Sequence, residues 1–206
     1  MAITGPGWGT AGAECPRRTD AEHRLGRQWR RRDSETITQR KKGIAKMEIR
    51  GKAALDQEQI EKLMSDSWII RLATSGPGAR INLTPLWYCW AEGKIYAFTR
   101  GQKVENLRRN PVCSAMVDQN ELYPELNGVM FQGTAKVLEN ADEEKADPHL
   151  DSIVRDRIGL KYLEGGFGSA KPRNESSAMG KNWRWIVMTP DVGFSWDNRK
   201  LGRSKK

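Results

Sequence analysis

Side chains able to do acid–base, nucleophilic or metal chemistry are scarce in this 206-residue chain. It has two histidines, His23 and His149, and three widely spaced cysteines, Cys15, Cys89 and Cys113. No Cys-x-x-Cys pair, His-Glu-x-x-His run, Ser-His-Asp arrangement or paired-carboxylate motif occurs. His149 follows Pro148 in a polar segment, where a solvent-facing ring is expected, and Cys89 and Cys113 lie in apolar runs as small core residues. The glycines of residues 164–181 (EGGFGSAKPRNESSAMGK) have neither P-loop nor dinucleotide-fingerprint spacing; a loop over a site is expected there. An enzyme so poor in reactive groups borrows its reactivity from a cofactor. A flavin allows that, because its ring carries hydride or electrons while the protein binds, orients and excludes water. The protein must then offer cations and donors for a phosphate, polar groups along a ring edge, and apolar or aromatic cover.

The elements that would position such groups are clearest in residues 68–118. Ile69, Ile70, Leu72 and Ala73 form a short apolar run, and Ser75-Gly76-Pro77-Gly78 supplies a tight reversal. Residues 80–87 open with polar and apolar positions alternating (Arg80, Ile81, Asn82, Leu83, Thr84), the pattern of a half-buried strand. Glu92-Gly93 marks a second turn, and residues 94–99 alternate again, which predicts a three-stranded antiparallel meander. Residues 102–110 suit one or two helical turns closed by Pro111, and residues 112–117 form a fourth strand. Upstream, Asp56 and Gln59 make a capping box for an amphipathic helix whose stripe is Ile60, Leu63 and Met64. Downstream, residues 128–138 read as a long fifth strand, with Gly133 marking a bulge or bend. Residues 140–162 read as helix interrupted at Pro148. Residues 183–188 form the sixth strand, turned by Thr189-Pro190-Asp191 toward Phe194-Ser195-Trp196. Trp68, Trp87, Trp90, Trp183 and Trp185 are expected in the core or at an interface, and Arg108 and Arg109 as solvated helix charges or dimer contacts.

These pieces, in this order, resemble the flavin-binding split barrels related to pyridoxamine 5′-phosphate oxidase, a group that includes users of the deazaflavin F420. The resemblance is carried by RLAT, TPLWY, IYAFTR and QKVENLRRNP running into a strand, then GVMFQGTA and FSW, and it covers residues 47–201. It implies a mainly β fold, a six-stranded antiparallel split β-barrel with flanking helices, working as a homodimer with the cofactor between subunits. It further implies FMN as cofactor, with F420 the alternative, and hydride or electron exchange with a small organic substrate. A non-catalytic flavin- or haem-binding protein on the same scaffold is the rival class. By resemblance Lys103 is the phosphate-binding lysine, acting with Thr99 and the helix N-terminus, and Arg100 and Gln102 are further contacts. Asn82, Leu83, Thr84 and Pro85 lie on the strand that runs beside the ring and ribityl chain. Asn127 and Gly128 provide a polar contact to the ring, and Trp196 contacts the cofactor from the dimer partner. The family's oxidases continue past this tryptophan with an arginine-bearing strand that grips substrate phosphate. Here only Arg203 resembles such an arginine, so a substrate other than a vitamin B6 phosphate is expected.

Charge is unevenly spread. Residues 1–46 carry eleven Lys/Arg against five acids, so they hold +6 of the chain's formal +9. With few apolar side chains, this leader cannot offset its ordering entropy and is expected to be disordered, upstream of a domain spanning residues 47–206. One reading makes Met47 the true start; a solvated tail and a nucleic-acid- or lipid-binding arm are the others. Because the basic excess belongs to the leader, it says little of the domain, and no nucleic-acid partner is expected. No apolar run approaches the roughly 20 residues of a membrane helix, and no secretion signal precedes the odd number of cysteines, which points to a reducing cytoplasm.

Overall fold

In chain order the elements are β1 (Glu48–Arg50), α1 (Gln57–Asp66), β2 (Ile69–Ser75), β3 (Ile81–Trp87), β4 (Cys89–Ala91), β5 (Lys94–Thr99), α2 (Gln102–Arg109), β6 (Val112–Gln119), β7 (Asn127–Leu138), α3 (Ala141–Ala146), a π-helical turn (Leu150–Val154), α4 (Arg155–Leu163) and β8 (Arg184–Asp197). This computed structural model describes residues 48–51, 53–163 and 182–201; the basic leader, the glycine-rich segment 164–181 and Arg203 lie outside them. Local signals start and stop these elements. Asp56 and Gln59 close a capping box on α1. Glu92 and Gly93, both at positive φ, make the two-residue β4–β5 hairpin. Asn140 caps α3, and the helical stretch breaks at Pro148 as expected.

The strands form one curled sheet in the order β3-β2-β6-β7-β8-β5-β4, with β1 added parallel to β8. The sheet is mainly antiparallel with helices flanking it, the split-barrel architecture. It holds eight strands among the described residues instead of six. The additions are the three-residue β1 and β4, too short to show a period. The expected meander is corrected: β3 pairs with β2, whereas β5 pairs with β8 and β4 at the opposite edge. Turn residues specify that the chain reverses, but the partner of β5 is chosen by long-range closure.

The predicted stop at Thr189-Pro190-Asp191 is instead a bulge inside one long strand. Gln132 is opposite Val192 and Gly133 is opposite Pro190, so Asp191 is the extra residue. A Cβ on Gly133 would lie 2.2 Å from the Thr189 carbonyl oxygen, so this approach requires glycine. Pro190 has no amide to donate, and it falls where β8 changes partner: β5 pairing stops at Met188 and β1 pairing starts at Val192.

Burial follows the curl. The concave side holds Ile70, Leu72, Ala115, Val117, Val129, Phe131, Ala97 and Ile186, closed at its ends by Ile60, Leu63 and Met64 of α1 and Val104 and Leu107 of α2. A second cluster lies on the convex side, where Leu150, Val154, Ile158 and Tyr162 cover Tyr96, Trp185 and Val187. The Tyr162 hydroxyl accepts from the Tyr88 amide at 2.8 Å and reaches the Trp68 carbonyl at 2.8 Å, pinning α4 to β3 and β4. Cys89 and Cys113 are buried, as expected, and burial pushes their thiols up to about 11 and about 12. Trp90 and Trp185 are core residues, His149 is half-buried rather than solvent-facing, and Trp68 and Trp87 stay partly exposed.

Two outcomes test this packing. Gly133→Ala should lose about 1–3 kcal/mol of stability in urea unfolding, because its methyl meets backbone that cannot yield; wild-type stability would rule out the close approach. Lys161 lies 4.1 Å from the Tyr88 ring centroid, and burial pulls its ammonium down to about 8, against the opposing pull of Cys89 and Asp66. At Lys161 the unfolded chain therefore binds up to one more proton than the folded one between about pH 8 and pH 10, a contribution to stability that rises with pH by up to ~1.4 kcal/mol per unit and that the raised Cys89 and Cys113 thiols oppose above about pH 9. The stability of wild type relative to Lys161→Met should therefore rise across this range; parallel pH profiles for the two proteins would refute it.

Candidate functional site

β5 ends at Thr99, which is buried, and the chain turns through Arg100 and Gly101 into α2. Gly101 is at φ +83°, with no atom within 4 Å of where a Cβ would stand. No side chain caps α2, so its first backbone amides face outward at the positive end of the helix. Two cations stand beside them. Lys103 Nζ donates to the Arg100 carbonyl at 2.9 Å, and the Arg100 guanidinium lies 5.1 Å from the Trp183 ring centroid. Trp183 in turn stacks on Phe98. Neither cation has a carboxylate partner among the described residues. Burial, and then the charge of Arg100, hold the Lys103 ammonium below the usual lysine range. An anion at this corner would relieve both effects.

α2 packs against β2 and β3, and β3 presents its polar side to it. Asn82, Thr84 and Leu86 are half-buried, while Ile81 and Leu83 are 70% and 62% exposed and Pro85 and Trp87 are also outward. The alternation read from the sequence is present, but with its apolar side outside. Thr84 Oγ1 donates to Asn82 Oδ1 at 2.9 Å. Opposite Asn82 on β2 stands Thr74, 2% exposed, whose hydroxyl accepts from Asn106 Nδ2 at 3.1 Å. Asn106 Oδ1 accepts from Gln102 Nε2 and from Arg109, each at 2.8 Å. Gln102 is thus tied back into the helix, and Arg109 is held by Asn106. Arg108 is paired with Glu139 and Glu105.

Asn127, Gly128 and Trp196 form a separate group. Asn127 is buried and donates to the Glu125 carbonyl at 3.4 Å. Gly128 is opposite Trp196, and a Cβ there would lie 2.4 Å from Trp196 Cζ2, so the indole ring rests directly on the glycine. Thr74 is level with Asn82, Cys113 and Gly133, whereas Gly128 is level with Asp118. Five residues along β7 separate the two levels, about 17 Å at the usual strand rise. One chain therefore places Asn82, and the α2 residues Gln102 and Asn106 tied to Thr74 opposite it, five residues along the sheet from Gly128 and Trp196, with Thr84 between them level with Phe131 and Thr99 beyond Asn82 toward Leu138. Leu83 and Pro85 point away from both, on the exposed face.

Asn106 and Thr74 join the site without having been singled out in the sequence, and Trp183, expected in the core or at an interface, stands half-buried between Phe98 and Arg100. Asn106 lies inside NLRRNP, but a buried asparagine and a solvated one read alike in a polar helix. Among the described residues, no group of His, Cys, Asp and Glu could hold a metal ion, and no helix is long and apolar enough to cross a membrane.

Comparison with known families matches residues 56–196 to the family described as pyridoxamine 5′-phosphate oxidase. Among solved structures, a conserved hypothetical protein of Mycobacterium tuberculosis, Rv2991, is 27% identical with a TM-score of 0.60, covering 79% of this chain and 96% of its own. The haem storage protein HutZ of Vibrio cholerae is 16% identical with a TM-score of 0.50, covering 65% of this chain and 89% of its own, which is likeness of fold alone. A comparison with curated proteins finds no match.

Proposed function

The chain belongs to the pyridoxamine 5′-phosphate oxidase family, and from that premise we propose that it is a flavin-dependent oxidoreductase holding FMN between the two copies of a homodimer. The observation that carries this reading is the Arg100–Lys103 corner at the uncapped N-terminus of α2, with no carboxylate partner among the described residues, on the helix that Asn106 ties to Thr74 opposite Asn82. The donor set fits an FMN phosphate: two cations, outward backbone amides, and open space over Gly101 that admits an anion close to the main chain. Asn82 and Thr84 offer a donor and acceptors for a ribityl chain and ring edge, and Trp183 and Phe98 give aromatic cover. When bound, FMN supplies the hydride or electron transfer; these residues bind it, orient it and exclude water around a small organic substrate.

The second copy is supported by the exposed face of β3. Ile81, Leu83, Pro85 and Trp87, with Ile69 on β2 and Val112 on β6, make an apolar strip of the kind that monomers seldom leave uncovered. A copy seated there would bring its own Asn127–Gly128–Trp196 group toward the cation pair, joining the two half-sites that one chain keeps apart. F420 presents a phosphate to the same cations, so an F420-dependent reductase is the alternative within this reading. A haem-binding role finds less support: His149, the histidine among the described residues, lies between α3 and the π-turn, away from α2 and β3.

Parallel titrations with FMN, F420 and haem test the proposal, with FMN expected to bind most tightly. Lys103→Ala should weaken FMN about 10- to 100-fold, the share of a charge-assisted phosphate contact, and leave riboflavin binding unchanged. Equal FMN affinity in wild type and variant would remove Lys103 from the site. For the dimer, Leu83→Asp should convert a sedimenting dimer to monomer and abolish FMN binding together. A Leu83→Asp protein that still sediments as a dimer would place the interface elsewhere.

A further inference from the structure

Building on the flavin reading, we infer that Asn106 is a positioning residue that fixes the Arg100–Lys103 corner against the polar strip of β3, so that phosphate recognition depends on its buried amide. Asn106 is 0% exposed, yet every polar atom of its side chain is used. Its oxygen takes hydrogen bonds from Gln102 in the first turn of α2 and from Arg109 in the last, and its nitrogen donates to Thr74 on β2. One amide therefore ties both ends of an eight-residue helix to the strand that is paired with β3.

The β2–β3 turn closes on the same group. A Cβ on Gly76 would lie 3.2 Å from Asn106 Oδ1 and 3.5 Å from Nδ2, so the turn backbone rests on the amide and leaves it no room to shift. The turn itself is held by the Gly76 amide donating to the Arg80 carbonyl at 2.7 Å. Thr74, Asn82 and Thr84 follow in register behind it. The apolar anchors of α2, Val104 and Leu107, fix its depth on the barrel, but nondirectional contacts leave rotation and sliding about the helix axis loosely set. The directional bonds at Asn106 remove that freedom, and with it any drift of the Lys103 ammonium relative to Asn82. Asn106 does not itself reach the phosphate corner; it acts through Lys103 and the first amides of α2.

The test is the ratio of riboflavin to FMN dissociation constants, which isolates the phosphate contribution. Asn106→Ala should lower that ratio about tenfold, as expected for losing correct placement of one charged hydrogen bond, while riboflavin affinity stays constant. In the Lys103→Ala background the same substitution should change the ratio by clearly less than in the wild type, because one of the contacts it serves is already gone. Thr74→Val, which cuts only the tether to β2, should reproduce part of the loss should Asn106→Ala fold poorly. An unchanged ratio in both variants, or losses that add fully in the double variant, would overturn the role of Asn106. A wild-type protein that binds FMN no better than riboflavin would overturn the flavin reading and this inference with it.

Discussion

The pairing of β7 with β8 is the constraint on which the rest of the structure depends. It runs from Asn127 opposite Asp197 to Leu138 opposite Trp185 and is kinked once, where Asp191 has no partner. The kink needs a residue without Cβ on β7 and tolerates proline on β8 because the neighbouring strand changes there. A bulge adds bend and twist to the strand that carries it, so β8 can serve β5 over one half and β1 over the other. That curvature makes the concave core and leaves a convex face for α4. Hydrophobic burial on both sides then makes the kinked arrangement the stable one.

Sheet curvature also decides which way the edge strand faces. The edge strand β3 turns Asn82 and Thr84 inward, where they bond each other beside the Asn106–Thr74 pair, and its apolar residues outward. Burying Asn82 and Thr84 beside Thr74 is tolerable because hydrogen bonds satisfy them. Exposing Ile81, Leu83 and Trp87 is unfavourable for an isolated chain, and it is the kind of imbalance that association relieves. The same inversion thus points at once to a ligand on the inside and to a second copy on the outside.

Charge works locally here rather than globally. Most of the formal excess belongs to the leader, and several arginines of the described domain have carboxylate partners: Arg108 and Arg184 share Glu139, Arg155 sits between Glu144 and Asp151, and Arg199 holds Asp197. Arg100 and Lys103 have no carboxylate partner among the described residues. Partial burial disfavours the charged form of Lys103, and the like charge of Arg100 adds to the effect.

The sequence by itself determined the local features. Asp56 and Gln59 start α1, Gly76 to Ala79 and Glu92-Gly93 turn the chain, Gly133 bends β7, and Pro148 divides the helical stretch, because each acts through neighbours within a few residues. The ordered motifs from RLAT to FSW also identified the family. Only the tertiary structure decided that β5 pairs with β8 rather than β3, that Thr189-Pro190-Asp191 is a bulge rather than an end, and that β3 faces its apolar side outward. A strand's period of two reveals that it has two faces, but which face is inside depends on partners far along the chain. Asn106 belongs to this second group for the same reason: its identity is local, but its burial and its three bonds exist only once α2 is docked on β2.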